Sequence, residues 1–233
     1  MPTKILKSEY LKYGFKSAIN RTLSLLLYAS TVICLYYFST SEVVAVFFVA
    51  STISKLIWVL PDAAGNYLYP KFIKIGEKYS EAEINKEMFL ISQFLLAGNL
   101  LAVILFYLMG DIFLDIFYAD EYKSAFNSII ILLIGNQGMV YYKILSRYLA
   151  AKNMWEKLRL SLICAIIINI ILNFTLIDSY GLLGASIATA VSFWVCGLFV
   201  AIQVKGASLG FINLFSLAIF LSNKFTMRKK NVL

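Results

Sequence analysis

The sequence contains no histidine. That one absence removes His-dependent catalytic triads, imidazole general bases and most zinc sites. Cysteine is scarce as well. Cys34, Cys164 and Cys196 each sit inside an apolar run, and none stands near another at metal-ligand spacing. They read as small core residues, not as disulfide partners or ligands. No Walker-type glycine loop is present, so no bound nucleotide is implied. Acidic residues are few, 13 against 21 Lys and Arg. No cleavable signal peptide is expected, because the N-terminus stays Lys-rich and polar for too long before the first apolar run.

What fills the chain is apolar. Of 233 residues, 61% are hydrophobic, well above the roughly 45–50% of soluble domains. With 18 Phe and 15 Tyr, side chains suited to the headgroup level are plentiful. The composition predicts an all-α membrane protein. A net charge of +8 would point to nucleic acid in a soluble protein. Here the bases fall in alternate loops, so they read as a topology signal and no nucleic-acid partner is expected.

The stretch INIILNFTLIDSYGLLGASIATAVS, residues 168–192, sets the frame. Asn169 and Asn173 lie one helical turn apart in an apolar run that meets the polar turn Asp178-Ser179-Tyr180. A second apolar run opens with Gly181. Gly184, Ala188 and Ser192 then recur every four residues on one face, which lets another helix approach closely. This predicts two membrane helices, 160–177 and 181–204, joined by a tight hairpin.

Four further helices are predicted, over 14–38, 43–69, 88–110 and 125–150. The second exceeds the ~20 residues needed to cross, and Pro61 removes a backbone donor inside it, so a kink near Trp58 and Pro61 is expected. Ser80 and Glu83 form a capping box ahead of the third helix. Residues 111–124, acidic and aromatic, are expected as a short loop or half-turn at the outer surface. Gly135-Asn136-Gln137-Gly138 interrupts the fourth helix, as a hinge or as a packing notch. Bases concentrate at the N-terminus, in 70–87, in 143–159 and at Arg228-Lys229-Lys230. The alternate loops hold Glu42, Asp111, Asp115, Asp120, Glu121 and Asp178 against Lys123 alone. This is the positive-inside pattern for six transmembrane helices forming one bundle over 1–206, multi-pass in a plasma membrane with both termini cytoplasmic. The apolar segment 209–221 is too short to span. It is predicted as an interfacial helix within a 207–233 tail that ends in a basic cytoplasmic segment.

A charge near the bilayer centre is costly and is a functional candidate by default. Lys55 lies about 18 Å into its helix at ~1.5 Å per residue, which fits a cavity-facing cation for a diphosphate or acidic sugar, or a structural lysine. Arg21 and Asp62 sit at similar depth on neighbouring helices. They are expected to pair, to reach the headgroups separately, or, for Arg21, to meet a lipid diphosphate. Asn169 and Asn173 read either as ligands of sugar hydroxyls or as interhelical hydrogen-bonding groups.

The order NxxxNxxLI, then G-x-x-GAxIAT, resembles the C-terminal part of polysaccharide flippases of the MOP superfamily, the Wzx-type O-antigen transporters. So do VVAVFFVASTISKLIWVLPDAAGNYLYPKF, GDIFLDIFYADEYKSA and YYKILSRYLAAKNMWEKLRLSLI, in the same order over roughly 8–206. The resemblance implies a transporter, not an enzyme, that moves an undecaprenyl-diphosphate-linked glycan across the bacterial inner membrane without a cofactor. Such proteins usually carry twelve or more helices, so it also implies a truncated frame, a second six-helix half, or a homodimer. A related exporter of another substrate, a non-transporting remnant, and a membrane glycosyltransferase or polymerase stay as alternatives. Reporter fusions at the two ends are expected to report the same, cytoplasmic, side; opposite sides would refute the even helix count.

Overall fold

The computed structural model describes residues 2–204, with side chains from residue 11 onward. The predicted helix over 209–221 and the basic run Arg228-Lys229-Lys230 lie outside the described residues. The chain forms α1 (Pro2–Phe38), α2 (Ser41–Lys55), α3 (Val59–Ile73), α4 (Glu81–Phe117), α5 (Ala125–Ala151) and α6 (Trp155–Gln203). Among the described residues, five helical stretches are long and apolar enough to cross a membrane: Leu11–Phe38, Ser41–Ile73, Glu81–Phe117, Ala125–Ala151 and Trp155–Gln203. The protein is an all-α membrane protein.

α5 is the axis. Its residues are buried nearly all round, and α2, α3, α4 and α6 each pack against it. α1 packs chiefly against α6. α4 takes the opposite role: most of its surface faces outward, with Phe94, Ile104, Leu108, Ile112 and Phe117 exposed. An apolar helix face of that kind is matched to lipid.

α6 has 49 residues, which as one straight rod would reach about 74 Å at ~1.5 Å per residue. It doubles back instead. Gly181 adopts φ +52°, ψ −123°, a conformation open to glycine and strained for other residues. The two arms then lie side by side, so that the Lys157 ammonium donates to the Gln203 carbonyl at 3.1 Å. Asp178-Ser179-Tyr180 still belongs to the first arm, so the reversal needs no separate loop. The expected close-packing face is realised just past the turn. A Cβ at Gly184 would meet the Leu176 carbonyl of the first arm, and Ala188 and Ser192 are fully buried.

The kink expected near Pro61 is a 3-10 turn, Leu56–Trp58, between α2 and α3. Pro61 has no N–H to donate to the Ile57 carbonyl one turn back, and the Asn136 amide of α5 donates to the Ser54 carbonyl beside the turn at 2.6 Å. The capping box at Ser80 and Glu83 forms as expected. One expectation is corrected. Residues 111–117 are not a loop but the end of α4, with a brief 3-10 turn at Asp120–Tyr122 beyond it. The reason is local: Leu114 continues the buried stripe, and Lys123 folds back to Asp115 at 3.0 Å and Asp120 at 2.8 Å. That ion pair holds the Asp120 carboxyl below its ordinary range.

Two apolar clusters fill the bundle. One gathers Leu27, Leu68, Met88, Met139, Leu162 and Phe193. The other gathers Leu35, Phe47, Leu114, Ile129, Ile177 and Ala185. Between them lies a belt of buried polar side chains. Ser30 donates to Asn169 at 2.7 Å, the Asn173 amide donates to Asn169 at 2.8 Å, and the Asn169 amide donates to Ser192 at 3.0 Å. The Thr31 and Thr189 hydroxyls meet at 2.8 Å. In a medium without water, such bonds tie helices that apolar contact alone would not hold in register.

The Gly135-Asn136-Gln137-Gly138 segment is a packing notch. A Cβ at Gly135 would strike Ala190, and one at Gly138 would strike the backbone of Phe193 and Trp194. Gly98 on α4 meets nothing within 4 Å. Gly138→Ala is therefore expected to destabilise the protein by about 1–3 kcal/mol, the usual range for overpacking, and Gly98→Ala to leave it unchanged or slightly firmer. Thermal melts of the two variants in one detergent check this.

Candidate functional site: a cationic cleft between α1, α3 and α5

At the end of the bundle that carries the 74–80 and 152–154 turns, α1 and α3 stand apart. A cleft of about 820 Å³ opens between them, floored by α5 and closed on one side by the start of α6. Each wall follows from residues that the apolar core could not absorb. α1 presents Tyr13, Ser17, Asn20, Arg21 and Ser24; α3 presents Asp62, Asn66 and Tyr69; α5 presents Tyr142, Lys143, Ser146 and Arg147. Among the described residues, three cations and one carboxylate face this space, with hydroxyls and amides around them.

Lys143 is deeply set, with only 14% of its side chain exposed. Its ammonium donates to both oxygens of Asp62, at 2.8 and 2.7 Å. It also sits over the Trp58 ring, 4.7 Å from the centroid. The Trp58 indole is fixed in turn, donating to Asn136 at 3.0 Å. Arg147 lies one turn further along the same face of α5. Gly65 on α3 makes room for it, since a Cβ there would come 3.1 Å from the Arg147 Cγ. Arg21 projects from α1 as an exposed side chain. Pro70, which has no N–H, cannot donate to the Asn66 carbonyl, and this leaves one more acceptor near the α3 wall.

At the cleft mouth the Tyr13 and Tyr69 hydroxyls meet at 2.9 Å and bridge α1 to α3. Tyr13 packs edge-on against Trp155, 5.0 Å between centroids. Deeper in, Ser24 and Tyr142 lie at 3.1 Å, with Tyr28 beyond them against Trp58 and Phe193. The chemistry on offer is recognition: the cleft supplies multidentate N–H donors for an oxyanion and hydroxyls for a polar ligand.

The positions singled out in the sequence separate into three groups. Arg21 and Asp62 both line the cleft, but the pair expected between them is not formed: Asp62 bonds Lys143. α1 and α3 are splayed here, and α5 brings its cation closer. Lys55 stands behind the cleft wall. Its ammonium lies 5.4 Å from the Tyr28 ring centroid and 5.7 Å from that of Trp58, with no carboxylate in ion-pair reach among the described residues. Asn169 and Asn173 are fully buried in the polar belt, bonded to helices on either side. Lys143 and Arg147 fall in the basic stretch 143–159, where topology alone accounts for charge. Their four-residue spacing on one helix face was the available signal, together with the length of apolar helix that continues past them.

No family model matches the chain, and no solved structure matches it. A curated relative, described as a probable low-salt glycan biosynthesis flippase, Agl15, of Haloferax volcanii, is 24% identical over 192 residues. The alignment covers 77% of this chain but 40% of the relative, so the chain matches less than half the length of that protein. The similarity is to a glycan-flippase-like protein, at low identity.

The Trp58 bridge is open to a direct check. Trp58→Phe keeps an aromatic face for Lys143 but strands the Asn136 oxygen. It is expected to cost about 1 kcal/mol of stability, read as a lower melting temperature in detergent. Trp58→Leu, which removes the ring as well, is expected to cost more.

Proposed function

We propose that this chain moves a lipid-linked glycan across a membrane, by binding the anionic diphosphate of the carrier in the cleft between α1, α3 and α5. The observation that carries this reading is the excess of cations over carboxylates in an 820 Å³ space whose remaining polar walls are hydroxyls and amides. Guanidinium groups match phosphate oxygens in pairs, and the surrounding hydroxyls suit a sugar. The similarity to a glycan biosynthesis flippase supports the same class of ligand. A related exporter of cationic compounds is the weaker reading, since such a ligand would meet repulsion from Arg21, Lys143 and Arg147.

In this reading the two arms of α6 cross separately, for six crossings in one bundle. The basic end that holds the cleft is cytoplasmic, the membrane is a bacterial inner membrane, and the carrier is undecaprenyl-linked, as expected for a Wzx-type O-antigen flippase of the MOP superfamily. The cleft is one wall of a larger passage, completed by a second six-helix half or a second copy of the chain. Arg21, Asp62 and Lys143 line the ligand path, Lys55 steadies its aromatic back wall, and Asn169 and Asn173 hold the helices that frame it. Rocking of one bundle against the other would carry the headgroup across, with no cofactor.

The test uses the full chain in nanodiscs and follows tryptophan fluorescence as farnesyl diphosphate is added. Saturable quenching is expected, with farnesol giving none. Arg21→Gln and Arg147→Gln are each expected to weaken binding by about tenfold or more, as loss of a charge-assisted contact implies. No binding by the wild-type chain or by Asp62→Asn, or equal response to farnesol, overturns the anion-site reading. Complementation of a flippase-deficient strain then tests transport itself.

A further inference from the structure

The Asp62–Lys143 pair has two possible roles: a fixed strut, or an internal ligand holding the place of an external one. Three observations favour the second. The partners are unequally set, Lys143 at 14% exposure and Asp62 at 44%, so the carboxylate is the member that stands at the cleft surface. Both of its oxygens are taken by one ammonium, the contact that a phosphate oxygen would make. Lys143 also has a second support, the face of Trp58 at 4.7 Å, so its position does not depend on Asp62 alone.

We infer that Asp62 is a built-in competitor for the cleft's anion site, and that ligand binding exchanges Lys143 from the Asp62 carboxylate to a diphosphate oxygen. This rests on the anion-site reading above and adds its regulation. Without ligand, the carboxylate offsets the charge of Lys143. With ligand, the ammonium turns to the incoming anion and the carboxylate is left at the open side of the cleft. The exchange lowers affinity relative to a site with no internal anion. A carrier that must release its cargo benefits from that, because a headgroup held by three unopposed cations would leave slowly.

The experiment measures dissociation constants of the full chain in nanodiscs for inorganic pyrophosphate and, separately, for farnesyl diphosphate. Response to both marks the diphosphate as the recognised group; response to farnesyl diphosphate alone marks a lipid-borne source. In either case Asp62→Asn is expected to tighten binding about five- to tenfold, as removing one opposing charge near a partly buried site implies. Lys143→Gln is expected to weaken it, and the gain from Asp62→Asn is expected to vanish in the Lys143→Gln background. Asp111→Asn removes the same charge outside the cleft and is expected to change nothing. If Asp62→Asn does not fold, Asp62→Ser takes its place with the same expectation.

Weaker or unchanged binding by the Asp62 variant overturns the inference while leaving the anion site standing. So does a gain that persists without Lys143 or that Asp111→Asn reproduces. If neither the wild-type chain nor the Asp62 variant binds either probe, the anion-site reading falls and this inference falls with it.

Discussion

The bundle depends on two amides in the middle of its central helix. In hydrocarbon, an unpartnered polar group costs more than apolar packing nearby returns, so Asn136 and Gln137 must find partners on other helices. Asn136 reaches the 3-10 turn between α2 and α3, accepting from Trp58 and donating to the Ser54 carbonyl. Gln137 reaches α4, accepting from Asn99 at 3.0 Å, while Asn99 also donates to the Leu133 carbonyl. The flanking glycines let the second arm of α6 press against α5 at the same level. Four residues of one helix thus place elements on every side of it. Trp58, set by Asn136, then positions Lys143 in the cleft.

This connects the interior to the site. The polar belt lies between two apolar clusters, and the cleft begins where the nearer cluster meets the turns at one end. The first arm of α6 is held to α1 by Asn169, Asn173, Ser30 and Thr31, so α1 stays with α6 while α3 packs on α5. The cationic space is therefore a result of where the buried hydrogen bonds are, not of a loop folded over a pocket. Across its mouth runs the bridge of the two tyrosine hydroxyls.

Much of the fold was legible because membrane solvation acts on each residue in a simple way. Long apolar runs, the Ser80 cap, the interruption at Pro61 and the small-residue face after Gly184 all report local chemistry. The boundaries were less legible. α4 runs seven residues past its predicted end, since Asp111 and Asp115 are polar enough to look like loop yet lie on the outer face of a helix whose inner face stays apolar. The site was legible in part. Arg21 and Asp62 stood out as charges within apolar helices, and both line the cleft. Their actual partners did not stand out. Which helix brings a cation to Asp62 depends on the splay between α1 and α3, which has no signature in either helix alone. Lys143 and Arg147 were hidden by their place beside a basic loop, where charge has a sufficient explanation in topology.

The reversal at Gly181 has a consequence for how this chain can change over time. Because the two arms join without spare residues, the side chains at 169, 173, 189 and 192 are in mutual register through the turn itself. Inserting or deleting one residue between them would rotate one arm by about 100° against the other, and would point Asn169 or Ser192 into lipid. Length variation among descendants of this sequence should therefore gather in the 74–80 turn and spare the hairpin, even where the residues of the hairpin drift.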